Sequence, residues 1–151
     1  MVGSQVMSNT ANKTTILMVE DDDNDVFLFQ REFIQLMDRV RVRRVRDGVA
    51  ASEYMKGPGE YADREKYPLP RVILLDWKLP RINVLEFLEW LRSVFHGNDR
   101  QTPVIVLSSS GIEADVRAAS NAGANAFLTK PAQWEVLLEQ FRRLGIYLTG
   151  H

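Results

Sequence analysis

The sequence contains no cysteine and only two histidines, His96 and His151. Without thiols there is no disulfide, thiolate nucleophile or zinc–sulfur site, and two histidines cannot build a histidine-based metal cage. Net charge is also missing: nineteen basic residues face twenty acidic ones, leaving −1. Such a balance offers no bulk attraction for nucleic acid or for an anionic membrane. No segment reaches the roughly 20 apolar residues needed to span a bilayer. The stretch from Met1 to Asn12 is polar and small, without the basic start and apolar run of a secretory signal. A cytoplasmic protein is expected.

What remains is an ordinary globular composition, 45% hydrophobic and 26% charged over 151 residues, enough for one domain with its own core. Charge is uneven locally. Glu20, Asp21, Asp22, Asp23 and Asp25 crowd one segment, and Arg39, Arg41, Arg43, Arg44 and Arg46 another. The expected organisation is a disordered extension over 1–13, one domain over 14–146 and a short tail over 147–151.

Four apolar runs lack alternation: Ile16 to Val19, Val72 to Leu75, Val104 to Leu107 and Ala126 to Leu128. Strands covered on both faces look like this. Val40 to Val45 instead alternates valine with arginine, as an edge strand with one wet face would, so those arginines read as a solvated edge. Between the runs lie helical stripes: Val26, Phe29, Phe33 and Met37; Ala51, Tyr54 and Met55; Val84, Phe87, Leu88, Leu91, Val94 and Phe95; Ile112, Val116 and Ala119; Trp134, Leu137, Leu138 and Phe141. Strand and helix thus alternate five times, which predicts an α/β fold with a five-stranded parallel sheet, doubly wound, (βα)5. Pro80, Pro103, Gly111 and Gly123 punctuate the elements, Gly123 at a position suited to a left-handed cap. Gly57 to Pro70 reads as a long surface loop of the sort that carries interactions.

Ligands of open α/β sheets gather at the carboxyl ends of the strands. Those ends carry Glu20-Asp21, Asp76, Ser108 and Lys130. Three carboxylates brought together repel unless a cation offsets them. Oxygen donors of this kind, on a largely hydrated site, suit Mg²⁺. For Asp22, Asp23 and Asp25 an acidic helix start, favourable with the macrodipole, is the simpler reading. Trp77, Trp90 and Trp134 need no role beyond packing.

The run Ile16-Leu17-Met18-Val19-Glu20-Asp21-Asp22, the run Leu74-Leu75-Asp76-Trp77-Lys78-Leu79-Pro80, Ser108 and Lys130-Pro131, in that order at strand ends, resemble the CheY-like receiver domains of response regulators. The resemblance covers about Thr14 to Leu144 and implies the flavodoxin-like strand order 2-1-3-4-5. It implies a switch in which Asp76 accepts a phosphoryl group, with Lys130 and Ser108 completing the catalytic set. Mg²⁺ would be bound by Glu20, Asp21, Asp76 and the backbone carbonyl of Lys78, whose side chain is not required for that role. Ser108 and the aromatic Phe127 match the switch positions, and the Lys-Pro bond is often cis in the family. By the same resemblance the protein catalyses only its own aspartyl phosphorylation and dephosphorylation.

The insert holding Gly59-Glu60-Tyr61-Ala62, with no effector domain following, resembles the stand-alone regulators that partner phytochrome-type sensor histidine kinases. Output would then be protein binding, and homodimerisation through the face of helix 4, strand 5 and helix 5 is a family tendency, with Trp134 or Arg142 as interface candidates. One departure stands out. Where the family has Asp-Gly, this chain has Asn83-Val84. A positive φ at valine would cost on the order of 1–2 kcal/mol, so an earlier helix start, with Val84 in the buried stripe, is expected. The altered turn also motivates a competing reading, a receiver-shaped scaffold without phosphotransfer. A phosphotransferase acting on an exogenous substrate ranks last, since nothing supplies a substrate pocket or lid.

Overall fold

The computed structural model describes residues 13–79, 81–93 and 101–148, with backbone alone for 81 and 82. Pro80, Val94, Phe95, His96 and His151 lie outside the described residues. Five strands, β1 (Thr14–Val19), β2 (Val40–Val45), β3 (Val72–Asp76), β4 (Val104–Ser108) and β5 (Ala126–Thr129), alternate with five α-helices. The helices are α1 (Asp23–Glu32), α2 (Gly48–Lys56), α3 (Arg81–Ser93), α4 (Glu113–Asn121) and α5 (Trp134–Arg143). All strand pairs are parallel, in the order β2-β1-β3-β4-β5.

The unbroken apolar runs are explained by two cores. Leu17, Val19, Ile73, Leu75, Val104 and Val106 point to one face, under Ala51, Tyr54, Val84, Phe87, Leu88 and Ala119 of α2, α3 and α4. Their neighbours Ile16, Met18, Val72, Leu74, Ile105 and Leu107 point to the other, under Val26, Phe29, Leu137 and Phe141 of α1 and α5. Alternate residues of each central strand therefore serve opposite cores, and period-2 polarity has nowhere to arise.

Register levels the strand ends. Val19 lies beside both Val45 and Leu75, Asp76 beside Leu107, and Ser108 beside Thr129. Pairing runs one residue further: Glu20 N–H donates to Val45 O (2.9 Å), Trp77 N–H to Leu107 O (2.9 Å) and Lys130 N–H to Ser108 O (2.6 Å). Glu20, Asp76, Ser108 and Lys130 thus leave the sheet along one edge.

Three expectations need correction. Met37 does not close the first stripe: α1 ends at Glu32, a 3₁₀ turn follows over Ile34–Leu36, and Leu36 is buried where Met37 is exposed. The tighter turn advances the buried position by one residue. Ile112 stands before α4 as its N-cap and is exposed, so the α4 stripe begins later. Most consequential, the arginines of β2 are not an idle solvated edge. Arg41 Nη1 donates to Glu65 O (3.0 Å) and Arg43 Nε to Lys66 O (2.9 Å), which ties the 57–70 segment to the strand.

That segment is itself packed. Tyr54, Tyr61 and Tyr67 form an aromatic cluster with centroids 5.1–5.9 Å apart. The Arg64 guanidinium donates to the carbonyls of Tyr54, Met55 and Tyr67. At Asn83-Val84 the earlier helix start holds: α3 begins at Arg81, Val84 is fully buried, and no described non-glycine residue has positive φ. Gly48 permits this path, because a Cβ there would lie 2.6 Å from Asn83 O. Gly123 has φ 111° after α4, the left-handed geometry its position predicts.

Candidate functional site

Glu20 and Asp76 are almost fully buried at the ends of β1 and β3, while Asp21 beside them is exposed. One carboxylate oxygen from each of the three lies within 4.8 Å of the others. Lys130, carried in at the end of β5 by the register, places Nζ 2.8 Å from Glu20 Oε1, 3.0 Å from Asp25 Oδ2 and 3.1 Å from Asp76 Oδ1. The Lys78 backbone N–H donates to Asp76 Oδ1 at 3.1 Å. The second oxygen, Asp76 Oδ2, is buried without a hydrogen-bond partner among the described residues. Ser108 is buried at the end of β4, its hydroxyl accepting from Ser110 N–H at 3.1 Å. Phe127 is half-buried and meets Trp77 edge-on, centroids 6.4 Å apart. The Lys130-Pro131 bond is cis.

Charge is crowded here, and the titration shifts follow. Burial, then the hydrogen bond and charge of Asp76, raise the Glu20 pKa against the opposing pull of Lys130. Burial works against the charge on Lys130, yet its bonds to Glu20 and Asp25 prevail and the pKa is raised. Asp25 is likewise pushed up by burial but held below the ordinary carboxylate range by Lys130 and Lys78. A bonded Asp25, then Asp22, raises Lys78 in turn, against partial burial.

The donor set fits a hard divalent cation. One carboxylate oxygen from each of three residues converges, Asp76 also keeps a buried oxygen with no hydrogen-bond partner among the described residues, and Glu20 beside it is a carboxylate whose charge is disfavoured. The edge opens into a cleft of about 830 Å³ bordered by Leu28, Phe29 and Glu32 of α1 and by Pro131 to Gln133. No helix among the described residues is long and apolar enough to cross a membrane.

Residues 16–142 match the family described as response regulator receiver domain. The chain belongs to that family. It is a receiver domain of two-component systems, a signalling protein rather than a classical enzyme, and its counterpart is a histidine kinase or phosphodonor. A probable methanogenesis regulatory protein, FilR2 of Methanothrix harundinacea, is 33% identical over 89% of this chain and 83% of its own. Response regulator Rcp1 of Synechocystis is 34% identical over 82% of each chain. A solved structure of the Mn²⁺-bound form of Rcp1 aligns with a TM-score of 0.67 and 30% identity, covering 90% of this chain and 99% of that one. The bacteriophytochrome response regulator RtBRR aligns with a TM-score of 0.73 and 36% identity, covering 91% of this chain and 81% of that one.

Within the receiver, every residue expected at the strand ends is at the same edge. Sequence reasoning underrated three others. Asp25, read as part of an acidic helix start, turns its carboxylate onto Lys130 and Lys78. Asp25 sits in the first turn of α1, where an acidic residue suits the helix start, so nothing in its position along the chain signalled this contact. The Lys78 side chain, not required for holding the metal, bridges Asp25 (3.0 Å) and Asp22 (3.2 Å). Arg44 donates to Glu20 O and to Asp23 Oδ1, each at 2.7 Å, and so anchors the acidic loop from β2. Asp22 keeps the helix-start role, accepting from Asn24 and Asp25 N–H.

Proposed function

We propose that this receiver is switched by phosphorylation of Asp76. The observation that carries the reading is the environment of its carboxylate. Oδ1 is fixed by Lys130 and by the Lys78 N–H, while Oδ2 is buried without a hydrogen-bond partner among the described residues. An acceptor needs one oxygen held and one available, beside positive charge that can meet the transferred group.

Asp76 attacks phosphorus in line, forming an acyl phosphate while the P–N bond to the donor's histidine breaks and the imidazole leaves with that electron pair. Lys130 neutralises charge on the equatorial oxygens, and the Ser108 hydroxyl turns from Ser110 N–H toward one of them. Glu20, Asp21, Asp76 and the Lys78 carbonyl would hold Mg²⁺. When bound, Mg²⁺ supplies charge neutralisation that lets a phosphate approach three carboxylates. Movement of Ser108 opens space for Phe127 to leave its contact with Trp77, which converts a local charge change into a packing change.

The phosphodonor is a sensor histidine kinase, of phytochrome type by the likeness to the bacteriophytochrome regulator RtBRR. Output is protein binding in the cytoplasm. A homodimer through α4, β5 and α5 would use half-buried Trp134 and Arg142, whose guanidinium pairs with Glu139 on the exposed side of α5. The folded unit spans 14–146, with an extension before it and a tail after it. Incubation with a histidine kinase phosphorylated on its own histidine, followed by intact mass, tests the reading; loss of the kinase label without gain on this chain contradicts it.

A further inference from the structure

Asp25 Oδ2 accepts from two ammonium groups at once, Lys130 Nζ at 3.0 Å and Lys78 Nζ at 3.0 Å. Lys130 divides its charge among Glu20, Asp76 and Asp25. Lys78 divides its own between Asp25 and Asp22. The Asp25 side chain is only 27% exposed and that of Lys130 only 16%, so neither is freely hydrated. A carboxylate in such a place is costly to leave without a cation.

We infer, resting on the reading of Asp76 as acceptor, that Asp25 and Lys78 are a positioning pair that releases Lys130 for phosphotransfer. In the resting protein Asp25 holds part of the Lys130 charge. When a phosphoryl group reaches Asp76, Lys130 leaves Asp25 for the phosphoryl oxygens. Lys78, already bonded to the same Asp25 oxygen, stays and keeps that carboxylate neutralised. The bond changes belong to Asp76: with acetyl phosphate one Asp76 oxygen forms the new O–P bond, the P–O bond to acetate breaks, and acetate departs with that electron pair. No proton is transferred by Lys130, Lys78 or Asp25. Their contribution is the placement of charge.

The test is a double-mutant cycle on the full chain with Mg²⁺ and acetyl phosphate, following the rate of phosphoryl gain by intact mass. Lys78→Ala leaves Asp25 dependent on Lys130 and is expected to slow the rate about fivefold, a size consistent with a partly exposed ion pair. Asp25→Asn removes the competitor for Lys130 and is expected to raise the rate about threefold. In the Asp25→Asn background, Lys78→Ala should have no further effect, whereas in the otherwise wild-type chain Lys78→Arg, which keeps a cation on Asp25, should retain most of the wild-type rate. Additive effects of the two substitutions overturn the inference. A second readout is the ¹⁵N spectrum of the lysine ammonium groups: on phosphorylation the Lys130 signal should shift while the Lys78 signal persists. Loss of the Lys78 signal would overturn the inference as well. If the wild type gains no phosphoryl group from acetyl phosphate or from a phosphorylated histidine kinase, the acceptor reading falls and takes this one with it. If it gains one and the cycle is additive, only the inference falls.

Discussion

Lys130 Nζ lies 2.8 Å from Glu20 Oε1, joining the end of β5 to the end of β1 across the two strands between them. The contact spans 110 positions of sequence and exists only because parallel pairing levels the strand ends. It also shows what the resting site lacks in positive charge. Glu20, Asp21, Asp25 and Asp76 crowd the edge, and Lys130 with Lys78 must serve them.

Mg²⁺ should therefore stabilise the folded chain. At about a hundred times its dissociation constant, a ligand bound only by the native state adds about 2.7 kcal/mol, which for a domain of this size raises Tm by roughly 5–10 °C. Thermal melts with Mg²⁺ and with EDTA check this. Asp21→Asn, which removes an exposed donor from the cluster, should shrink the difference to a small fraction.

Arg44→Ala should loosen the acidic loop. It removes the bonds to Glu20 O and Asp23, and the loss is expected to be about 1–2 kcal/mol in urea unfolding. Arg44→Lys should recover little, because one ammonium cannot reproduce both contacts of the planar fork. Full stability in the Ala variant would contradict the anchoring role.

Gly48→Ala tests the route by which the chain accommodates Asn83-Val84. The new methyl would meet Asn83 O at 2.6 Å, and a backbone carbonyl cannot swing aside as a side chain can. A destabilisation of about 1–3 kcal/mol is expected, with slower phosphorylation if the loop after Asp76 moves with it. Urea unfolding with parallel rate measurements separates the two effects.

Tyr54 gives the fold an alkaline limit. Burial pushes its phenol up to about 12, against about 10 for an exposed tyrosine. The folded state favours the protonated form, so this contribution is fully present below pH ~10 and is lost as pH rises from ~10 to ~12. The loss amounts to on the order of 2 kcal/mol. Tyr54→Phe should abolish that pH dependence while costing about 1 kcal/mol at neutral pH, from the lost bond to Pro68 O. Stability curves at pH 8 through 11.5 give the comparison.

Much of this architecture is legible in the chain because periodicity reports burial. The runs at Ile16, Val72 and Val104 do not alternate, since both faces of those strands are covered, and Asp76, Ser108 and Lys130 end their strands as the parallel arrangement requires. Val84 could be placed in the buried stripe from its phase with Phe87 and Leu91. What could not be read was how long polar side chains reach across space. Arg41 and Arg43 alternate with valine like a wet edge strand and Arg44 follows them, yet their guanidinium groups find carbonyls and a carboxylate brought close only by folding. Asp25 and Lys78 likewise acquire their meaning from a third residue, Lys130, more than fifty positions away from either. The early end of α1 at Glu32 escaped for a different reason: a 3₁₀ turn continues the helical direction but shifts the buried position from Met37 to Leu36.

The central claim is that Asp76 takes the phosphoryl group, and intact mass tests it most directly. The purified chain is incubated with Mg²⁺ and either acetyl phosphate or a phosphorylated histidine kinase, beside Asp76→Asn. One phosphoryl group is expected on the wild type, none on the variant, and none when EDTA replaces Mg²⁺. A wild type that stays at its starting mass with both donors, or a variant that gains the group equally, would contradict the account.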